Sequence, residues 1–415
     1  MSTQDRIHAW IHSRIHSPIH PPILGRIAKV LVAALLTGSL SAGMLMLATQ
    51  LRAQTPAPEA LPAATATAPA VAGSIPTTDV PFYADWASSP HANLSAEAFN
   101  HWNKEGNIPV ECARCHSTPG FLASFGANGS ADNLAQVGYP VPVGTVITCL
   151  ACHNDKTMAL TSVTFPSGLK VEKQGADARC MACHQGVEST NSVNKAVGGN
   201  ADDTVEPKLE FINVHYAAAG AMLFGTMAKV GYEYPGKTYI GRFQHQEPYT
   251  RCTACHELHT VAVKVADCAG CHAGVTDKAS LHGIRVRTAD FDGAGDAKEG
   301  IAQEIDHLRG QLLTAIMDYA KKVSDNPVVY KLEVFPYFFV DTNGNGVADA
   351  DETKFPNRYK AWTPRLLKAA YNYQFVTKDP GAYAHNSTYA IELLHDSLSD
   401  LGSKVTVDLA KATRP

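Results

Sequence analysis

The sequence predicts a mainly α-helical protein with extensive loops, its C-terminal helices packed on a loop-rich segment. Three observations carry that expectation. Apolar residues recur at helical spacing in the last third of the chain. Gly and Pro punctuate residues 112–272 too often for long regular elements. All ten cysteines of the 415-residue chain fall inside that punctuated stretch, in five copies of one short motif.

Helices are expected over about 299–323, 364–376 and 386–401. In the first, Ile301, Ile305, Leu308, Leu312, Ala315, Ile316 and Tyr319 form one apolar stripe, read as core. Thr363-Pro364 is a good helix start, with Pro at the first helical position. The loop reading of the middle segment rests on Pro119-Gly120, Gly138, Pro140, Pro142, Gly144, Pro166 and Gly168.

The five motifs read Cys-x-x-Cys-His: Cys112, Cys115, His116; Cys149, Cys152, His153; Cys180, Cys183, His184; Cys252, Cys255, His256; and Cys268, Cys271, His272. This is the attachment site of haem c. Two thiols add across two vinyl groups on one porphyrin edge, and the histidine that follows ligates the iron from the proximal side. Zinc sites and redox disulfides also use Cys-x-x-Cys. Neither explains a histidine after the second cysteine in every copy, and no βαβ pattern surrounds any motif. No cysteine is left for a disulfide or a free thiol. Five haems so closely spaced would form much of the core of residues 81–280, and the fourth and fifth should come nearly into contact.

The chain resembles multihaem c-type cytochromes over roughly residues 85–402, with five haems implied. A low-spin iron needs a sixth ligand. Outside the motifs and the N-terminal tract stand His91, His101, His215, His245, His259, His282, His307, His385 and His395. Ser89-Pro-His91-Ala, Cys255-His256-Glu-Leu-His259 and Ala384-His385-Asn-Ser-Thr-Tyr-Ala-Ile-Glu-Leu-Leu394 are similar to segments that supply distal ligands in such proteins. His215 opens an apolar, helix-like run, and His245 closely precedes Cys252. The distal set is therefore expected to be His91, His215, His245, His259 and His385, with His282 and His101 in reserve. His259 is too close to its own motif to cap that haem, so it should reach a neighbouring one. His385 should tie the C-terminal helices to the haem segment.

Residues 1–29 form an N-terminal extension, and 30–48 an uncharged stretch preceded by Arg6, Arg14, Arg26 and Lys29 against Asp5. That asymmetry puts the N-terminus in the cytoplasm and the rest outside. The segment, extended to residue 49, is a membrane anchor or a signal peptide. The Ile-His repeats at His8, His12, His16 and His20 read as low complexity. A Pro/Ala/Thr-rich linker follows to residue 80.

The C-terminal segment, 281–415, holds no cysteine and two acidic loops. Asp341, Asn343, Asn345, Val347, Asp349 and Glu352, with Gly346 at the turn, fit the twelve-residue calcium loop. The residues leading in, 334–340, read as strand, so this is a lone loop and a structural Ca²⁺. Asp290, Asp292, Asp296 and Glu299 form a looser relative, with Ala and Lys at two ligand positions.

The functional expectation is electron transfer through five covalently bound haems, mostly or all bis-histidine, in the periplasm or at the cell surface. Partners would be redox proteins or other multihaem cytochromes, the membrane through the N-terminal segment, and, if the chain assembles, an oligomer or filament. The formal net charge of −4 gives no case for nucleic acid. Haem propionates would make the surface more acidic, favouring basic partners. The alternative is a reductase or oxidase of small nitrogen or sulfur compounds. The chain distantly resembles the superfamily of nitrite reductase and hydroxylamine oxidoreductase, in which one haem stays open to substrate. Its lysine-bearing motif is missing here, and enough histidines exist to cap every iron.

Overall fold

The computed structural model describes residues 80–128 and 137–415. The extension, the anchor or signal segment and all of the linker before residue 80 fall outside the described residues.

Helices and loops dominate. Strand is confined, among the described residues, to three two-stranded antiparallel pairs: Asn107–Ile108 with Val141–Pro142, Val163–Thr164 with Lys170–Val171, and Val328–Tyr330 with Phe338–Val340. The last pair sets Val328 opposite Val340 and leads into the Asp341 loop. The strand expected over 334–340 thus begins only at Phe338.

Three long helices build the C-terminal body: Ile301–Lys322, Pro364–Thr377 and Ala382–Leu401. In the first, Leu308, Leu312, Ile316 and Tyr319 are fully buried, each worth about 1.5–3 kcal/mol of transfer free energy. Lys321 and Lys322 close its last turn against the dipole. The second is capped by Thr363, whose hydroxyl accepts from the Leu366 amide at 3.2 Å. The third is two helices joined at Asn386, where φ −166° and ψ 79° break the spiral. The Asn386 side-chain Oδ1 accepts from the Tyr389 amide at 3.1 Å and restarts it. The expected start at 386 marks this restart, and one extra turn carrying His385 precedes it.

The main apolar core joins these helices to Phe165, Met181, Val193, Phe211, Val214, Phe224 and Tyr232 of the middle segment. One core therefore crosses residue 280. Satellite clusters lie around Trp102, Ile108 and Val141, and around Phe121, Phe125, Ala151 and Ala182. The motif regions form helical turns of only four or five residues: Ala113–His116, Cys149–Cys152, Asp177–Met181, Cys252–Cys255 and Val265–Ala269. Such turns are too short to persist alone.

Candidate haem-binding site

The ten thiols are all unpaired, with no disulfide among them. In the second and fourth motifs one helical turn holds both cysteines and the histidine sits at its C-cap, whereas the first motif's turn ends on His116 itself.

Each motif histidine faces one histidine from elsewhere. Ring centroids are 5.6 Å apart for His116 and His215, 6.2 Å for His153 and His259, and 6.3 Å for His184 and His91. They are 6.5 Å apart for His256 and His385, and 6.2 Å for His272 and His245. Imidazole nitrogens bind a metal at roughly 2 Å, so two rings on opposite sides of one ion have centres about 6 Å apart. His116 and His215 are the tightest pair, with Nε2 atoms 3.4 Å apart.

The outer ring nitrogens are held. Nδ1 of His116 donates to the Ala98 carbonyl at 2.7 Å, that of His184 to Ala217 at 3.0 Å, and that of His256 to Val261 at 3.1 Å. A carbonyl only accepts, so Nδ1 carries the proton and Nε2 keeps its lone pair for a metal. His385 donates through Nδ1 to Asp379 Oδ2 at 2.8 Å. Burial, then His184, pushes the His91 pKa down to about 4. Burial, then His116 and Lys378, pushes that of His215 to about 3. Both rings are thus neutral, the ligating form. Burial works against charge on His385, but Asp379 prevails and its pKa is raised.

Backbone geometry serves these positions. His215 sits at φ +77°, unusual for a residue with a side chain. A Cβ on Gly381 would come within 2.5 Å of the His385 ring, so glycine is required there. Lys378 braces the His215 segment, a role sequence reasoning missed. Its ammonium lies 3.9 Å and 3.6 Å from the Tyr216 and Tyr337 ring centres and donates to Asn213 at 2.8 Å. Its backbone carbonyl accepts from Ala217 at 3.0 Å. Nothing in the one-dimensional pattern joins residues so far apart.

The other histidines are engaged elsewhere. His101 contacts Glu97 at 2.7 Å and Trp102, His282 packs on the Tyr383 ring, and His307 meets Asp292 at 2.7 Å. His395 lies 4.0 Å from Asp396.

In the 341–352 loop, Asp341 accepts from the amides of Gly344 and Gly346, Asn343 from that of Asn345, and Asn345 from that of Val347. Asp349 accepts from both Asn343 and Asn345 side chains at 2.9 Å. Glu352 is buried. Its Oε1 accepts from Thr342 and Asn343, while Oε2 has no hydrogen-bond partner. A buried carboxylate oxygen left bare suits a hard cation. In the looser loop, Asp290, Asp292 and Glu304 converge, as do Asp292, Glu299 and His307. Asp296 is in neither group and instead accepts from the Lys298 amide. Arg285 already pairs with Glu304 at 2.5 Å.

Among the described residues no helix is long and apolar enough to cross a membrane.

A family model described as cytochrome c7 and related cytochrome c matches residues 97–185, which hold the first three motifs. The C-type polyheme cytochrome OmcB of Geobacter sulfurreducens is 26% identical over 404 residues, covering 78% of this chain and 52% of the relative. The C-type polyheme cytochrome OmcC of the same species is 28% identical over 360 residues, covering 74% and 44%. The chain thus spans about half the length of the curated relatives it matches. No solved structure matches it. The chain's five Cys-x-x-Cys-His motifs thus stand beside likenesses to the cytochrome c7 family and to polyhaem c-type cytochromes.

Proposed function

We propose that the chain transfers electrons through five covalently attached haems, each iron held between a motif histidine and a facing histidine. The carrying observation is the pairing: five motif histidines, five partners, with ring centres 5.6–6.5 Å apart. Bound haem supplies reversible one-electron chemistry at iron. The protein's own work is to anchor two thiols per group, fix the Nδ1 proton on a carbonyl or carboxylate, and leave Nε2 free. With both axial places filled, small substrates have no iron to bind, which favours a carrier over a reductase. Attachment chemistry for haem c supports an extracytoplasmic place, with other redox proteins as partners.

Purified holoprotein tests this directly. Haem per polypeptide should be five, paramagnetic resonance should show only low-spin ferric signals, and the reduced protein should not bind carbon monoxide. A high-spin ferric signal, or carbon monoxide binding to one reduced haem, would overturn the closed bis-histidine reading.

We also propose one structural Ca²⁺ in the Asp341–Glu352 loop, held by Asp341, Asn343, Asn345, the Val347 carbonyl, Asp349 and Glu352. The bare Oε2 of Glu352 supports it. Calcium binding to chelator-treated holoprotein, followed by calorimetry, checks the stoichiometry.

A further inference from the structure

The motif cysteines are unevenly placed, and the third motif is central. Its Cys183 Sγ donates to the carbonyl of Arg114, inside the first motif, at 4.0 Å. Its Arg179 donates to the Cys152 carbonyl of the second motif at 3.3 Å. Ala182 and Ala151, each inside a motif, share one apolar cluster. The turn carrying Cys180, Asp177–Met181, packs against Cys252–Cys255 of the fourth motif. The fifth motif is tied to the fourth: Lys264 donates to the Cys255 carbonyl at 2.8 Å and accepts at its own carbonyl from Cys268 Sγ at 3.7 Å.

We infer that the third haem is a junction, bordering the first, second and fourth, with the fifth reached through the fourth. The inference rests on the five-haem reading above. Its physical basis is that thiols mark porphyrin edges. Attachment turns that touch bring the edges they hold close together, and electron transfer falls steeply with edge separation. The third haem would then exchange electrons with three others. Each hop oxidises one iron by one electron and reduces its neighbour by one, and no bond is made or broken. An external one-electron donor protein and an acceptor protein supply and remove the charge. The first, second and fifth motifs would be the ends at which such partners dock.

Proton NMR of the fully reduced, diamagnetic holoprotein tests the map without mutation. Thioether protons of the third haem should show cross-relaxation to those of the first, second and fourth: Cys183 to Cys115, Cys180 to Cys152, and Cys180 to Cys252. Those of the fifth should reach only the fourth. A third haem with fewer than three such neighbours overturns the junction, whatever the haem count. A count other than five, or a high-spin iron, instead sinks the reading beneath it. Redox titration gives a second readout. Oxidising the third haem should shift the potentials of three others, whereas oxidising the fifth should shift chiefly one.

Discussion

Residues 233–274 and 301–401 are built on opposite plans. The first stretch carries the fourth and fifth motifs and contains no buried apolar side chain. The second supplies Leu308, Leu312, Ile316, Leu366, Tyr371, Tyr389, Leu393 and many more at or near zero exposure. Both are ordered paths of chain, yet only one makes a core from its own side chains. The difference teaches that the helices draw cohesion from ordinary apolar burial, whereas the motif stretch needs another source, which attached porphyrin would supply under the proposed function.

The largest expected effect breaks that comparison at its weak side. Replacing Cys252 and Cys255 together by Ala should remove one haem by mass. Hydrogen exchange should then show lost protection across 233–274, with 301–401 unchanged. Retained protection in the first stretch would mean that its own side chains suffice. Next is Leu308→Ala, a fully buried site in the long helix. It should cost about 2–5 kcal/mol in denaturant unfolding, with all five haems still attached.

Calcium sharpens the contrast on the helical side. Chelation, or Glu352→Gln, should lower the melting temperature by several degrees, consistent with about 1–3 kcal/mol of linkage. Asp349→Asn, at a half-buried loop position, should reproduce part of the shift. No calcium-dependent change in the unmutated protein would remove the site.

The smallest effect joins the two regions. Asp379→Asn weakens the charge-assisted bond to His385 while leaving a hydrogen-bond partner. A less electron-rich imidazole stabilises ferric iron less, so that haem's potential should rise by roughly tens of millivolts. Unchanged potentials in a spectroelectrochemical titration would show that Asp379 only positions the turn.

Much of this was legible in one dimension, for particular reasons. Haem attachment needs contiguous residues, so candidate sites such as Cys112, Cys115 and His116 are visible in one dimension. The Ile301–Lys322 helix announces itself by period, and its stripe is its buried face. The extra turn before Asn386 escaped notice, because its helix is broken by backbone torsion that the apolar pattern does not record. The Lys378 brace was equally invisible, since it links Asn213, Tyr216 and Tyr337 across long chain separations.

The amino-acid sequence by itself determined the number of Cys-x-x-Cys-His motifs, the ligand chemistry on offer and the helical C-terminal segment. Those follow from local covalent spacing and periodicity. Only the tertiary structure decided which histidine faces which, that His259 meets His153 and His385 meets His256, and that the third motif touches three others. Partners far apart in the chain are brought together by packing of the whole body, and no local pattern encodes that choice.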